Sequence, residues 1–185
     1  MKKVFASILE IVEIALTAVA VVFLIRTFLL QPFLVKGASM EPNFSTGDYL
    51  LIDELTYKIR PPERGEVIVF KYPGDESTYY IKRIIGLPGE RLVLSHDKIT
   101  VYGNSHSEGS VLEEQYLNYD SMVSGDKEVV LGPSQYFVMG DNRQVSFDSR
   151  NWGPLENKEI IGLARLRLWP ITKVAAFEKP SYVAP

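Results

Sequence analysis

The stretch VIVFKYPGDESTYYIKRII, residues 67–85, decides the fold of this 185-residue chain. Two runs rich in β-branched and aromatic residues, 67–72 and 79–85, flank a Pro-Gly turn signal, which is typical of successive strands. Similar short runs recur beyond residue 31 and lie at 49–52, 92–94, 99–102, 128–131, 136–139 and 163–169. Because many short strands and few helices fill this part of the chain, we predict a mostly β fold of coiled antiparallel sheets.

The N-terminal 30 residues are largely apolar. The apolar run extends over residues 8–30, about the length that crosses a bilayer, although charged residues near both ends leave only 14–25 uncharged. Lys2 and Lys3 would also suit the basic start of a cleaved signal peptide, but no small-x-small cleavage site follows the apolar core. We therefore expect residues 1–30 to form a cytoplasmic stub and a single transmembrane anchor. The flanking charges by themselves only slightly favour this orientation.

The remainder of the chain is predicted to form one β domain over residues 31–175. Within it, residues 105–127 are polar and low in strand signal, so we expect a variable excursion there. Residues 176–185 are assigned to a C-terminal tail, of which 178–185 are expected to be frayed.

The composition excludes several classes of function. A net charge of −3 gives no electrostatic basis for binding nucleic acid. The absence of cysteine excludes disulfides, thiol nucleophiles and zinc-thiolate sites. The two histidines, His96 and His106, lie in a polar stretch and are expected on the surface. A histidine metal site or a histidine-based triad is therefore poorly supported.

Ser39 lies in a run that favours a sharp, exposed turn. The run is Gly-Ala-Ser-Met-Glu-Pro, residues 37–42, in which Gly37 and Pro42 bracket the serine. A serine hydroxyl becomes an effective nucleophile only when a base takes its proton. Taken alone, this run is also explained by a turn with no chemical role.

Lys82 is the candidate base, since neither histidine is suited to the task. If residues 79–85 form a strand, alternation puts Tyr80, Lys82 and Ile84 on one face and Arg83 on the other. Large neighbours would then exclude water from the amine. Lowering the lysine pKa towards neutrality in this way costs about 4 kcal/mol. A solvated Lys-Arg pair on an edge strand is the alternative.

A third run, Gly-Asp-Asn-Arg-Gln-Val-Ser-Phe-Asp-Ser-Arg at residues 140–150, follows the predicted strand 136–139. It combines hydroxyls, carboxylates and guanidiniums, so it can hydrogen-bond a buried amine and brace it with internal ion pairs. A polar surface turn would explain the charges of this run but not its hydroxyls.

Together these runs resemble the bacterial type I signal peptidases, the membrane-anchored serine–lysine endopeptidases of protein export. The resemblance covers roughly residues 19–169 in the family's order: anchor, serine run, Gly-Asp-Tyr-Leu-Leu, Arg-Gly-Glu-Val-Ile-Val-Phe, lysine run and Gly-Asp-Asn-Arg run. It implies a mostly β domain with a small barrel-like core on the extracytoplasmic face of the cell membrane, with the N-terminus in the cytoplasm. The partners implied are signal peptides of exported preproteins and the lipid bilayer, close to the secretion translocon, with no cofactor and no metal.

The resemblance also implies roles for individual residues. The catalytic residues would be Ser39 as nucleophile, Lys82 as general base, Ser146 as the group that orients the amine, and Asp148 as a brace. Structural support would come from Asp141, Arg143 and Arg150. The Ser39 N–H would stabilise the oxyanion.

The substrate is implied to add as an extended strand between residues 32–35 and the residues before Lys82. Shallow apolar pockets would accept alanine-sized side chains at the first and third positions before the cut. The pocket residues would be Phe33, Val35, Met40, Phe44, Tyr80 and Ile81.

The chain departs from the family pattern at two places near these residues. Gln144 and Val145 stand where members often show Asp-Asn, which puts the local bracing in doubt. Gly37 stands where some members carry a serine whose hydroxyl helps to stabilise the oxyanion.

Two alternatives to an export peptidase stay open. One is a non-catalytic, membrane-anchored β module that binds export substrates. The other is a self-cleaving serine–lysine regulator related to DNA-damage repressors, which would need a DNA-binding helical domain or an internal cleavage loop.

Overall fold

The computed structural model describes residues 2–28, 30–95, 98–103, 106–117 and 126–180. Within these ranges one long helix, α1 (Lys2–Phe28), precedes a chain of strands. The strands are β1 (Leu30–Leu34), β2 (Tyr49–Asp53), β3 (Val67–Tyr72), β4 (Asp75–Gly86), β5 (Arg91–Ser95), β6 (Lys98–Gly103), β7 (His106–Val111), β8 (Lys127–Val130), β9 (Gln135–Met139), β10 (Leu155–Glu156), β11 (Ile160–Trp169) and β12 (Ala175–Ala176). The short helices are α2 (Thr56–Ile59) and α3 (Ser149–Trp152), with 3-10 turns at Asn157–Glu159 and Ile171–Lys173. The prediction of a mostly β chain is confirmed.

The strands form two antiparallel sheets. The larger has the order β1-β2-β11-β3-β4-β9-β10, with β12 added to β11, and the smaller has the order β7-β6-β5-β8. The larger order does not close into a ring among the described strands, so hydrogen bonds do not complete the small barrel that was expected.

Among the described strands, the free edges of the larger sheet include those of β1 and of part of β4. Within the described part of the chain, β1 pairs only with β2. β4 pairs with β3 along much of its length, whereas β9 pairs only with its last residues, from Arg83 to Gly86. No described strand therefore pairs with residues 79–82 of β4 on the side opposite β3.

Alternation along β4 sends successive side chains into different parts of the core. Tyr80 and Ile84 pack in one hydrophobic cluster, while Ile81 and Ile85 each pack in another. Lys82 lies on the face of Tyr80, with its Nζ 5.4 Å from the centre of the ring. The alternation predicted for this strand is confirmed.

The region 105–127 contains more structure than its sequence predicts. β7 pairs with β6 at the edge of the smaller sheet, so the expectation of low strand content is wrong there. Its polar sequence gives a weak signal because an edge strand has only one neighbour and little burial. Residues 105 and 118–125 lie outside the described residues, as does His96, and the side chain of His106 is likewise not described.

The chain is docked on the larger sheet as far as Phe177. β12 pairs with β11, and the Phe177 N–H donates to the carbonyl of Arg165 at 2.9 Å. The ring of Phe177 lies 4.5 Å from that of Phe44, centre to centre. The segment assigned to the tail thus begins with docked residues, Ala176 and Phe177. Fraying from residue 178 stays a prediction, and 181–185 lie outside the described residues.

α1 covers the N-terminal residues that were expected to form the anchor. Its described side chains are exposed and include Ile11, Ile14 and Val19. Across the part of the chain that the structure describes, no helix combines the length and the apolar character needed to cross a membrane. The single-pass anchor expected over residues 1–30 is therefore not confirmed.

Candidate active site

Ser39 and Lys82 lie side by side although they are far apart in the chain. Ser39 belongs to the turns between β1 and β2, and Lys82 projects from β4. The Nζ of Lys82 is 2.7 Å from Ser39 Oγ and donates to the Ile81 carbonyl at 2.9 Å. This separation is within reach for transfer of the hydroxyl proton to a neutral amine, so the pair is suited to general-base chemistry.

The surroundings of Lys82 favour the neutral amine. The residue is 4% exposed. Burial disfavours the ammonium form and lowers the pKa of Lys82 from its ordinary 10.5 to about 8, although the charges of Asp148 and Asp141 oppose this. The nearby Arg150 lowers the pKa further. At pH 7 about a tenth of the amine is therefore neutral and able to accept a proton, far more than at the ordinary pKa.

The loop that follows β9 packs against the serine through Gly140. A side chain at Gly140 would collide with the Ser39 carbonyl and with Ser146 Oγ, so glycine is needed for this close approach. The Asn142 N–H donates to the same Ser39 carbonyl at 3.0 Å. The run 140–150 thus lies against the run 37–42 that contains Ser39, as expected.

Ser146 lies beside the pair, but it does not make the predicted hydrogen bond to the lysine. Its buried hydroxyl has no hydrogen-bond partner among the described residues. The Nζ of Lys82 instead points to Ser39 and to the Ile81 carbonyl. Ser146 is close enough to Asp148 to favour the charged form of that carboxyl, without reaching hydrogen-bond geometry.

Asp148 supports the loop and acts on Lys82 only through its charge. Its carboxylate pairs with Arg150 Nε at 2.8 Å and accepts the Gly140 N–H at 3.0 Å. It also caps α3 by accepting the Arg150 N–H. Burial alone would raise the pKa of Asp148, but the hydrogen bonds from Arg150 and Gly140 lower it overall.

Asp141 pairs with Arg83, a partner that sequence reasoning missed. The guanidinium donates through Nε and Nη2 to the two carboxylate oxygens at 2.9 and 2.6 Å, and both side chains are buried. Asn43 Nδ2 donates to the same carboxylate at 2.9 Å. Pairing of β4 with β9, in which Arg83 lies opposite Met139, brings the two residues together. No local pattern in the sequence links them.

Arg143 is also buried, and its partner is Glu114 from the predicted excursion. Its Nη1 donates to Glu114 Oε2 at 2.6 Å, and its Nε donates to the Gly140 carbonyl at 3.0 Å. Burial alone would lower the pKa of Arg143, but the charge of Glu114 raises it overall. Sequence reasoning missed Glu114 because nothing in that polar stretch distinguishes it.

An open cleft of about 340 Å³ begins at Ser39 and Lys82. Four of the six predicted pocket residues line it, namely Phe33, Val35, Tyr80 and Ile81. Sequence reasoning missed other apolar lining residues, among them Leu50, Val69, Val145 and Phe147. Leu50 and Val69 are buried and form the floor, whereas Val145 and Phe147 are 61% and 49% exposed and form the rim.

Met40 and Phe44 do not line this cleft, contrary to expectation. Both are 1% exposed and pack in the hydrophobic cluster that contains Val35 and Leu50. The Met40 sulfur accepts the Asp141 N–H at 3.4 Å, and the Phe44 ring faces Phe177. These two side chains pack behind the serine instead of contacting the cleft.

Two further observations limit the chemistry of the site. The Gly37 N–H donates to Thr46 Oγ1 at 3.0 Å, so it is already occupied and is not free to be a second oxyanion donor. Across the described ranges, no three His, Cys, Asp or Glu side chains are grouped closely enough to hold a metal ion. Ser39 and Lys82 are the groups in the cleft that can carry acyl-transfer chemistry.

A hydroxyl held against a buried amine at the end of an open cleft is the arrangement of a serine hydrolase. The family model described as signal peptidase, peptidase S26, matches residues 8–169. The chain therefore belongs to the peptidase S26 signal peptidase family and is a serine endopeptidase.

Several curated proteins are similar to the chain over most of its length. A probable signal peptidase I-2 of Synechocystis sp. is 36% identical over 90% of this chain and 75% of its own. Signal peptidase I P of Bacillus subtilis subsp. natto is 35% identical over 94% of this chain and 95% of its own. The crystal structure of a signal peptidase I from Enterococcus faecalis V583 is 27% identical, with a TM-score of 0.47 over 56% of this chain and 97% of that one.

Proposed function

We propose that the chain removes signal peptides from exported preproteins by cutting after a small-x-small, Ala-x-Ala-like site. Ser39 is the nucleophile and neutral Lys82 is the general base. The observation that carries this proposal is the 2.7 Å contact between Lys82 Nζ and Ser39 Oγ inside a site where the lysine is buried. Signal peptidases among the similar proteins support the same substrate class.

The reaction follows from these two groups. Lys82 takes the hydroxyl proton as Ser39 Oγ attacks the scissile carbonyl carbon, and the Ser39 N–H stabilises the oxyanion. The resulting ammonium returns the proton to the leaving amine, so the peptide bond breaks and an acyl-enzyme forms. Lys82 then deprotonates a water molecule, whose attack releases the signal peptide with a new carboxylate and restores Ser39.

The free strand edges beside the cleft support binding of an extended peptide. Among the described strands, none pairs with residues 79–82 of β4 on the side opposite β3, and the end of β1 supplies Phe33 to the cleft. A peptide strand alternates its side chains, so the residues at the first and third positions before the cut point the same way. We propose that these two side chains lie over the floor of Leu50 and Val69, beside Val35 and Ile81, where small groups would fit.

The charged loop residues hold this arrangement. Asp148 with Arg150, Asp141 with Arg83, and Arg143 are assigned structural support, since each is buried in an ion pair near the serine. Ser146 is assigned orientation of the amine. Its buried hydroxyl lies beside Gly140 and has no hydrogen-bond partner among the described residues, which supports this assignment.

We further propose that the enzyme works at the extracytoplasmic face of the cell membrane. Its substrates are themselves inserted in the bilayer, so a site at the surface meets them directly. The exposed apolar side chains of α1, among them Ile11, Ile14 and Val19, support contact with lipid. Recovery of the protein in the membrane fraction, and its release when α1 is deleted, is the expected result.

The test is incubation of purified protein with a preprotein that carries an Ala-x-Ala site. We expect a single cut after the second alanine, no product with Ser39→Ala or Lys82→Ala, and a smaller loss with Ser146→Ala. Product from Ser39→Ala would overturn the assignment of the nucleophile. Binding of the preprotein by the parent chain without cleavage would favour the non-catalytic module instead.

A further inference from the structure

The segment 113–117, which follows β7, reaches the loop that follows β9. The Glu114 carboxylate pairs with both terminal nitrogens of Arg143, and the two side chains are only 11% and 1% exposed. The Nε of Arg143 donates to the Gly140 carbonyl. A residue from the predicted excursion therefore fixes a guanidinium that in turn fixes the loop.

Tyr116 makes a second connection between the same segments. Its hydroxyl donates to Glu114 Oε1 at 2.5 Å, and its ring lies 4.0 Å from the Arg83 guanidinium carbon, measured to the ring centre. Asn43 Nδ2 donates to the Tyr116 carbonyl at 3.0 Å and also to Asp141. Segment 113–117 thus contacts both arginines that hold the loop.

The loop held in this way touches the serine itself. The Asn142 N–H donates to the Ser39 carbonyl, and Gly140 packs against that carbonyl and against Ser146. A shift of the loop would therefore move the backbone of Ser39. Misplacement of a reacting group by about 1 Å is enough to cost roughly a hundredfold in rate.

We propose that Glu114 is a positioning residue of this peptidase, which acts through Arg143 on the loop that holds Ser39. The proposal rests on the function proposed above. Without the Glu114 charge, buried Arg143 has no carboxylate of its own and is drawn to Asp141, whose charge already acts on it. Such a shift would pull Arg143 away from the Gly140 carbonyl and would loosen the loop.

The first experiment compares Glu114→Gln with Glu113→Gln in cleavage of an Ala-x-Ala preprotein. Glu113 is the adjacent residue of the same segment and its side chain is exposed, so its variant is the matched control. We expect Glu114→Gln to lower kcat roughly 10- to 100-fold with KM within about twofold, and Glu113→Gln to match the parent. An unchanged kcat in folded Glu114→Gln would overturn the proposal.

The second experiment asks whether Glu114 acts through Arg143. We expect the double variant Glu114→Gln/Arg143→Gln to be no slower than Arg143→Gln alone, because both changes break one chain of contacts. Glu114→Asp, which keeps the charge, should recover part of the lost kcat. Losses that multiply in the double variant would show that Glu114 acts by another route and would overturn the proposal.

A milder variant keeps the test decisive if Glu114→Gln does not fold. Tyr116→Phe removes one hydrogen bond to Glu114 and retains the ring against Arg83. We expect a kcat a few-fold lower with an unchanged KM, and equal kcat would count against the proposal. If the proposed function were wrong, the parent and Glu113→Gln would also fail to cut, which separates the two failures.

Discussion

Lys82 and Arg83 are adjacent on β4 and lie on opposite faces of the strand, where their charged groups have different direct partners. Both residues are buried, at 4% and 6% exposure. Arg83 donates twice to Asp141, so its charge is compensated by direct contact. Lys82 contacts the Ser39 hydroxyl and the Ile81 carbonyl. The carboxylates of Asp148 and Asp141 act on it only through their charge, without a direct contact. Burial therefore lowers the pKa of the lysine, whereas an ion pair keeps the arginine charged.

The largest effect on activity is expected when a guanidinium, the group that Arg83 carries, replaces the amine of Lys82. Lys82→Arg puts a guanidinium that stays protonated in place of the base, so kcat/KM should fall by at least about 10³-fold. Cleavage of a preprotein by the purified variant is the measurement. Turnover close to that of the parent would contradict a neutral amine as the base.

Breaking the Arg83 pair should affect stability more than chemistry. Asp141→Ala removes the carboxylate that the buried Arg83 guanidinium contacts, and it should lower the free energy of unfolding by about 3–5 kcal/mol in urea titrations. The matched control is Glu128→Gln, which breaks an ion pair with Arg91 whose side chains are 58% and 41% exposed. That change should cost less than about 1 kcal/mol. Equal losses would mean that burial does not distinguish the two pairs.

Removing the Lys82 amine should raise the free energy of unfolding, whereas breaking the Arg83 pair should lower it. The unfolded chain binds this proton up to a pKa near 10.5 and the folded chain only up to about 8, so below pH 8 folding is opposed by up to about 3 kcal/mol. Lys82→Met should therefore raise the free energy of unfolding at pH 7. Loss of the hydrogen bonds to Ser39 and Ile81 offsets part of this gain in stability. Arg83→Met removes the guanidinium that donates to buried Asp141, so this variant should lower the free energy of unfolding. A destabilised Lys82→Met would show that the amine is not strained by burial.

The smallest effect is the pH dependence of the reaction. Protonation removes the base, so kcat/KM should fall about tenfold for each pH unit below about 8 and level off above it. Asp141→Asn should move this limb to lower pH, because the Asp141 charge raises the pKa of Lys82. A profile that stays flat into acid pH would leave Lys82 without a role as base.

The sequence predicted the Lys82 face better than the Arg83 face, for a physical reason. Strand alternation is local, so Tyr80, Lys82 and Ile84 could be grouped from spacing alone. The partner of Arg83 lies 58 residues away and depends on how β4 pairs with β9.

The same reasoning explains the other residues that sequence analysis missed. Glu114 gains its role only because an edge strand carries the excursion to the loop, and Phe177 docks only because Phe44 is there. Met40 and Phe44 are pocket residues only by the family resemblance. The turn buries both side chains instead.

The docked C-terminus has a practical consequence for handling the enzyme. Phe177 covers Phe44, and the Arg167 guanidinium carbon lies 5.6 Å from the centre of the Phe44 ring and 5.2 Å from that of Phe177. Trimming by a contaminating protease beyond residue 173 would uncover this aromatic pair directly behind the nucleophile turn. Preparations whose intact mass shows loss of these residues should therefore have lower specific activity. A purification tag should be added after Pro180 and should not replace the residues before it.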